Sequence, residues 1–257
     1  MNLDYNNFVS RNIPYINQDV QKILGGKKIL FAGCGLGSVI AESAVRTGFS
    51  SMTLVDGDVV ELSNLNRQYF FYNDIGENKA RALAANLKFI NPSINLNIHD
   101  YFIDNENING LLDDVDFVVN AVDLDGVYFS VIDKSLSKGI PVICPFNIGF
   151  GGVILVFNSN SVLPADIWGT SGVKDSNEFY NKLLSNAKDY KLPNYISKLL
   201  DEIFYSANKN GYYPQISIGA HIVSSLALTT MIKIIENKPV ALAPNIISID
   251  LFSHDNI

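Results

Sequence analysis

Short runs of β-branched and apolar residues recur along the chain at residues 29–32, 52–55, 115–122 and 141–146. These runs show little polar alternation, the pattern of strands covered by helices on both faces. Between them, residues 37–48, 76–91 and 125–139 have the length and mixed polarity of amphipathic helices. Pro92 follows the second helix and Gly139-Ile140-Pro141 closes the third, as stop signals do. The β-α-β-α alternation predicts an α/β fold: a Rossmann-like, doubly wound, mostly parallel sheet with helices on both faces.

The remainder is less regular. Residues 150–157 form a further strand after a glycine turn, and 158–213 read as a long crossover rich in Asn, Ser, Lys and Tyr. Helices are expected within it near 177–189 and 196–208. An apolar helix over 216–235 and a last strand over 246–252 follow. His221, Ser224, Ser225 and Lys233 interrupt the apolar helix, so it reads as buried rather than membrane-spanning. One domain is predicted over 1–257, with a nucleotide-binding core at 28–157, the crossover at 158–213, and a C-terminal helix and strand in 214–257.

Composition narrows the function classes. With 47% hydrophobic and 18% charged residues, the 257-residue chain is neither disordered nor fibrous. Its 26 acids against 19 bases, a net charge of −7, disfavour a broad nucleic-acid surface but leave room for a local phosphate pocket. Two cysteines, Cys34 and Cys144, make neither a disulfide framework nor a four-cysteine zinc site. The expectation is a reducing, cytoplasmic setting. Residues 1–11 are polar and lack a signal peptide's apolar core, and no membrane association is expected.

Two segments carry candidate chemistry. In the first, a strand runs into Gly33-Cys34-Gly35-Leu36-Gly37 and then a helix, so backbone N–H groups and the helix dipole can receive a phosphate. Asp56 ends the next strand, about 20 residues on, the spacing of a carboxylate that accepts ribose hydroxyls. These features alone fit NAD, FAD, S-adenosylmethionine or ATP. The second segment, Asp56-Gly57-Asp58 through Asn64-Leu65-Asn66-Arg67-Gln68, favours a triphosphate. There, Arg67 can fork onto phosphate oxygens, and Asn64 and Gln68 can hydrogen-bond phosphate or ribose. Lys79 adds a point charge. Asp123 stands where a sheet strand ends, placed to hold Mg²⁺ or polarise the reacting phosphate.

At these residues the chain resembles the ThiF/MoeB/HesA family, bacterial relatives of the adenylating domain of ubiquitin-activating enzymes. The resemblance runs from about residue 11 to 252. It rests on the Gly33–Gly37 loop, Asp56 and Asp58, Asn64 to Gln68, Ile75-Gly76-x-x-Lys79-Ala80, Ile90-Asn91-Pro92 and Asp123. It implies an adenylyltransferase that uses Mg²⁺ and ATP to join AMP to a carboxylate, typically the C-terminus of a ubiquitin-like sulfur carrier or a peptide, with release of pyrophosphate. By the same resemblance Gly35 lies against the phosphates and Asp56 holds the ribose. Asn64, Arg67 and Lys79 bind the triphosphate, and Asp123 is the metal-linked catalytic carboxylate. Arg11 reaches into the partner's nucleotide site of a homodimer.

Three departures accompany the match. The C-x-x-C zinc pairs of many relatives are missing, so no structural zinc is expected. Leu124 replaces the amide that often follows the catalytic Asp, and a nearby arginine is lacking. The crossover carries no cysteine, so adenylation without covalent capture is expected. The remaining candidates have plainer readings. Cys34 and Cys144 read as packing residues, with Cys144 at the sheet edge that faces the site; His221 reads as a core or dimer-interface residue, and Trp168 and the Tyr212–Tyr213 pair as core packing, with a substrate groove as the alternative. The acids Asp113, Asp114 and Asp116 read as a solvated turn, and His99 and His254 as exposed. Residues 146–152 are expected to wall the substrate channel. Alternative functions are a tRNA-modifying, carboxylate-activating member of the superfamily, an NAD-dependent oxidoreductase, or a non-catalytic module.

Overall fold

The computed structural model describes residues 3–124, 126–168 and 213–252, together with Glu178, Glu202 and Lys209. Two helices, α1 (Tyr5–Phe8) and α2 (Gln18–Gly26), precede β1 (Lys28–Ala32), α3 (Leu36–Thr47) and β2 (Ser51–Val55). Next come α4 (Lys79–Ile90), β3 (Asn95–His99), α5 (Ile108–Leu111), β4 (Phe117–Asn120) and α6 (Gly126–Ser137). The chain continues through β5 (Val142–Ile148), β6 (Gly151–Phe157), α7 (Pro164–Trp168), α8 (Ser217–Ile235) and β7 (Ile246–Asp250). The sheet has seven strands in the order β3-β2-β1-β4-β5-β6-β7. Strands β1 to β5 pair parallel, whereas β6 and β7 are antiparallel additions at one edge. The predicted doubly wound, mostly parallel sheet is the fold observed.

Alternation within the buried strands divides the core in two. Ile29, Phe31, Met52, Leu54, Phe117, Val119 and Ile143 face the core under α3, α4 and α8. Their neighbours Leu30, Ala32, Val55, Val118, Val142 and Cys144 face the opposite core with α5 and α6. Because both faces are covered, most successive positions are apolar, which is why the sequence shows runs rather than alternation; Thr53 and Asn120 are buried polar exceptions. Two elements escape this pattern. Strand β3 reads Asn-Leu-Asn-Ile-His with its residues half-buried or exposed, the signature of an edge strand, and it falls below the apolar threshold that revealed the others. Helix α2 starts at an Asn17 N-cap whose Oδ1 accepts from the Val20 N–H at 2.8 Å. That capping signal stood in the sequence without a long apolar run behind it.

Boundaries move for physical reasons. The run 115–122 contracts to β4 because Asp116 accepts the Lys28 N–H at 2.9 Å and pairs with Lys27 at 2.7 Å, anchoring the strand's entrance. At the other end Ala121 leaves the ladder to cover Gly33. The acid run is thus part solvated turn and part anchor, with Asp113 paired to Lys138 at 2.8 Å and Asp114 in the left-handed region. The expected helices near 177–189 and 196–208, like Tyr212 and His254, lie outside the described residues.

Helix α8 is long and apolar enough to cross a membrane by length and composition, and half of that span is buried inside the protein. It lies over β5 and β6 so closely that two glycines mark the contact. A Cβ on Gly152 would sit 2.6 Å from Val223 Cγ2. One on Gly219 would sit 2.5 Å from the Gly149 carbonyl oxygen and 2.8 Å from that of Gly151. His221, expected in a core or a dimer interface, lies on the helix's exposed side. Backbone cannot yield as a side chain can, so Gly219→Ala is expected to cost about 3 kcal/mol and lower the melting temperature by roughly 6–12 °C. Gly26→Ala, with nothing within 4 Å of the new methyl group, should leave it unchanged. Thermal unfolding of the two variants checks this contrast.

Candidate nucleotide site

Strands β1 and β4 lie side by side, and the chain leaves β1 toward β2 on one side while β4 continues toward β5 on the other. Such a switch point opens a crevice at the C-terminal strand ends. Here it holds a cavity of about 570 Å³. The β1–α3 loop forms its floor. Gly33 has φ +92°, and a Cβ there would meet the Ala121 carbonyl oxygen at 2.5 Å, so only glycine fits. Gly35 is the N-cap of α3 with no side-chain hydrogen bond, which leaves the first N–H groups of a twelve-residue helix open toward an anion.

Asp56 fixes that loop. Its Oδ2 accepts the Cys34 N–H at 2.7 Å and its Oδ1 accepts the Asp58 N–H at 2.8 Å. Burial raises its pKa above the ordinary value of 3.8, against the lowering effect of both N–H bonds and of Lys79. Across the cavity, a turn at 62–68 presents the polar cluster. Asn64 is buried and its Oδ1 accepts the Glu61 N–H at 3.0 Å. Its backbone oxygen accepts from the N–H groups of Arg67 and Gln68, so one asparagine organises the whole turn. The Gln68 amide rests against Gly35, 3.2 Å from where a Cβ would stand, and its buried Oε1 has no partner among the described residues.

The two cations are held differently. Lys79, mostly buried, reaches Asp58 at 3.0 Å. Arg67 is half-buried and donates to neutral acceptors: Nε to Gln215 Oε1 at 2.5 Å, and Nη1 to the Ser63 carbonyl at 2.9 Å and Asn66 Oδ1 at 2.8 Å. Burial lowers its pKa. Asp123 is exposed at the cavity rim beyond β4.

The family model described as ThiF family matches residues 9–256. The chain belongs to the ThiF family. It is 32% identical over 153 residues to a probable molybdopterin-synthase adenylyltransferase of Gracilaria tenuistipitata var. liui, covering 57% of this chain and 42% of that protein. In fold it is similar to PaaA, with a TM-score of 0.72, 20% identity, and coverage of 98% of this chain and 82% of that one. Escherichia coli MccB, in a structure with AMPCPP and MccA, gives a TM-score of 0.67 at 19% identity, covering 93% and 67% of the two chains. The chain spans between a fifth and about two fifths of the length of the curated relatives it matches.

In this ThiF-family chain the cavity gathers Gly33, Gly35, Asp56, Asp58, Asn64, Arg67, Gln68, Lys79 and Asp123. Two other candidates stand apart. Gly37 packs inside the first turn of α3, where a Cβ would be 3.5 Å from the Phe31 ring. Arg11 lies exposed in the short helix Ser10–Asn12, outside the lining. The structure adds residues the sequence did not single out: Phe102 and Ile103 after β3, Asn120, and Gln215 before α8. Tyr213, weighed between core packing and a substrate groove, lines the cavity too. Of the expected 146–152 wall, Phe146 and Asn147 take part.

Charge in the cavity differs from expectation. Its lining holds three carboxylates, Asp56, Asp58 and Asp123, against two cations, Arg67 and Lys79. A polyphosphate bound there would need further cations to balance its charge. Among the described residues no group of three His, Cys, Asp or Glu could hold a metal by protein ligands alone. A lone carboxylate such as Asp123 does suit Mg²⁺, which takes one or two carboxylates with substrate phosphates.

Both thiols are inert by burial. Cys34 is pushed well above 9.0, and Cys144, beside Tyr128 and Asn120, is raised to about 12. His99 is half-buried against Tyr101, with ring centroids 5.2 Å apart. The Asp56 tether predicts a titration. Burial favours the neutral carboxyl, so as pH falls Asp56 should protonate above 3.8, earlier than an ordinary aspartate. The backbone amide resonances of Cys34 and Asp58 should then shift together through one midpoint above 3.8; amides that do not follow the Asp56 titration contradict the tether, and a midpoint at or below 3.8 contradicts the dominance of burial over the two N–H bonds.

Proposed function

We propose that the protein is an ATP-dependent adenylyltransferase that activates a carboxylate as acyl-AMP. The observation that carries this is the joining of the Gly33–Gly35 loop, Asp56, Arg67 and Lys79 around one cavity at the switch point. Membership of the ThiF family supports it, as does the adenylyltransferase name of the Gracilaria relative. An oxidoreductase has no use for Asn64, Arg67 and Lys79 together, and a module that binds without catalysis has no use for Asp123 beside them.

In this reading the open N–H groups of α3 receive phosphate oxygens and Asp56 accepts the ribose hydroxyls. Asn64 and Gln68 supply amide hydrogen bonds, and Arg67 and Lys79 neutralise the triphosphate. Lys79 leaves Asp58 for phosphate at little cost, because Asp58 is more than half exposed and such pairs are weak. The substrate carboxylate oxygen attacks the α-phosphorus. A new O–P bond forms, the bond to the β-phosphate oxygen breaks, and pyrophosphate departs with its electron pair. Both partners are anionic, so catalysis comes from alignment and from cations that strengthen their hold as charge builds on the leaving group. Mg²⁺, held by Asp123 with the phosphates, would supply further neutralisation. The net negative lining leaves a role for Arg11, delivered from the second subunit of a homodimer. The substrate class is the C-terminus of a small protein or peptide, and the setting is cytoplasmic. The tRNA-modifying alternative is disfavoured by the net charge of −7.

Two outcomes follow. Arg67→Ala or Asp123→Ala should lower carboxylate-dependent ATP–pyrophosphate exchange by about 10²–10³-fold, the range for losing one transition-state contact. Exchange that survived both changes would remove these residues from the mechanism. At about 100-fold excess over its dissociation constant, ATP should stabilise the protein by about 2.7 kcal/mol, a shift of roughly 5–10 °C in melting temperature. NAD at the same concentration should give none.

A further inference from the structure

Arg67 carries an unusual set of partners for a half-buried cation. Among the described residues it makes no ion pair. Its three acceptors, Gln215 Oε1, the Ser63 carbonyl and Asn66 Oδ1, are all neutral. They fix the guanidinium plane while leaving its positive charge uncancelled, and Nη2 has no partner among the described residues. A carboxylate in the place of Gln215 would hold the arginine as firmly but would spend its charge.

Gln215 comes from far along the chain, 148 residues after Arg67. It is doubly attached: its backbone oxygen also accepts from Asn66 Nδ2 at 3.1 Å. The next residue is gripped from the other side, since Asn147 Nδ2 donates to the Ile216 carbonyl at 3.0 Å. The backbone at 215–216 is thus clasped between the 62–68 turn and the β5–β6 hairpin. Tyr213 and Gln215 line the same cavity as Arg67.

We propose that Gln215 is a positioning residue for Arg67, aligning the guanidinium on the nucleotide phosphates and tying that alignment to the end of the crossover. This rests on the assignment of Arg67 to the triphosphate. Its consequence is that the segment leading into α8 takes part in nucleotide binding without touching the nucleotide's reacting atoms. A strain applied to residues 213–216 by a partner at the crossover would reach Arg67 through two hydrogen bonds.

A double-mutant cycle tests this, read as affinity for Mg²⁺ and a non-hydrolysable ATP analogue by titration calorimetry on the full chain. Gln215→Leu keeps bulk and removes the acceptor. It should weaken binding about tenfold in the otherwise native protein and less than about twofold in an Arg67→Ala background. A purely structural role would give equal losses in both backgrounds, and that result, or no loss in the native protein, overturns the proposal. Asn66→Ala, at an exposed position, gives a second arm should Gln215→Leu fold poorly. It removes the tether to the Gln215 backbone and an Arg67 acceptor, and should weaken binding about two- to threefold, again only when Arg67 is present. If Arg67→Ala alone leaves affinity unchanged, the triphosphate assignment itself is wrong and the positioning role falls with it. If Arg67→Ala weakens binding but Gln215→Leu does not, the assignment stands and only the positioning role is lost.

Discussion

The Asp56 carboxylate, with one oxygen on the Cys34 N–H and the other on the Asp58 N–H, ties the end of β2 to the loop that leaves β1. The floor of the crevice takes its position from that tie. It holds the Gly33 backbone against Ala121, where no side chain fits, and so sets the open end of α3 in line with the cavity. The same tie places Asp58 where Lys79 reaches it, at the start of α4. Burying a carboxylate is costly, and the raised pKa of Asp56 records that cost. Two backbone N–H donors offset part of it while leaving further lone pairs for a ligand.

Opposite that anchored floor, the polar wall is organised by neutral groups. Asn64 shapes its turn through side-chain and backbone oxygens, and Arg67 is framed by two amide side chains and a carbonyl. The result is a cation that is oriented but not neutralised. Set against three carboxylates in the lining, this makes a site that is nearly balanced when empty and short of positive charge once a polyphosphate enters. In the adenylyltransferase reading, a metal ion and a second subunit's Arg11 supply the difference. A requirement for added cations is then a property of the site and no accident of the chain's acidity.

Much of this was legible in the sequence because it is local. The run from β1 through Gly33 and Gly35 into α3, the spacing to Asp56, and the cluster from Asn64 to Gln68 lie within 41 consecutive positions, 28 to 68. Apolar runs announced the central strands because helices cover both faces. Strand β3 escaped because its Asn-Leu-Asn-Ile-His sequence serves an edge, and with it went Phe102 and Ile103, which follow it into the cavity. Gln215 could not be found by pattern, since its hydrogen bond to Arg67 joins residues 148 apart and no local period encodes it. Gly37 shows the converse: a motif position that stands outside the cavity, where a Cβ would make only ordinary contact with the Phe31 ring.

The central claim is that the Asp56-anchored loop is the floor of a nucleotide site. A crystal structure of the full chain with Mg²⁺ and a non-hydrolysable ATP analogue tests it most directly. The account predicts ribose hydroxyls on the Asp56 carboxylate, and phosphates between the α3 N–H groups, Arg67 and Lys79. A nucleotide bound elsewhere, or one whose phosphates lie away from both cations, would contradict it.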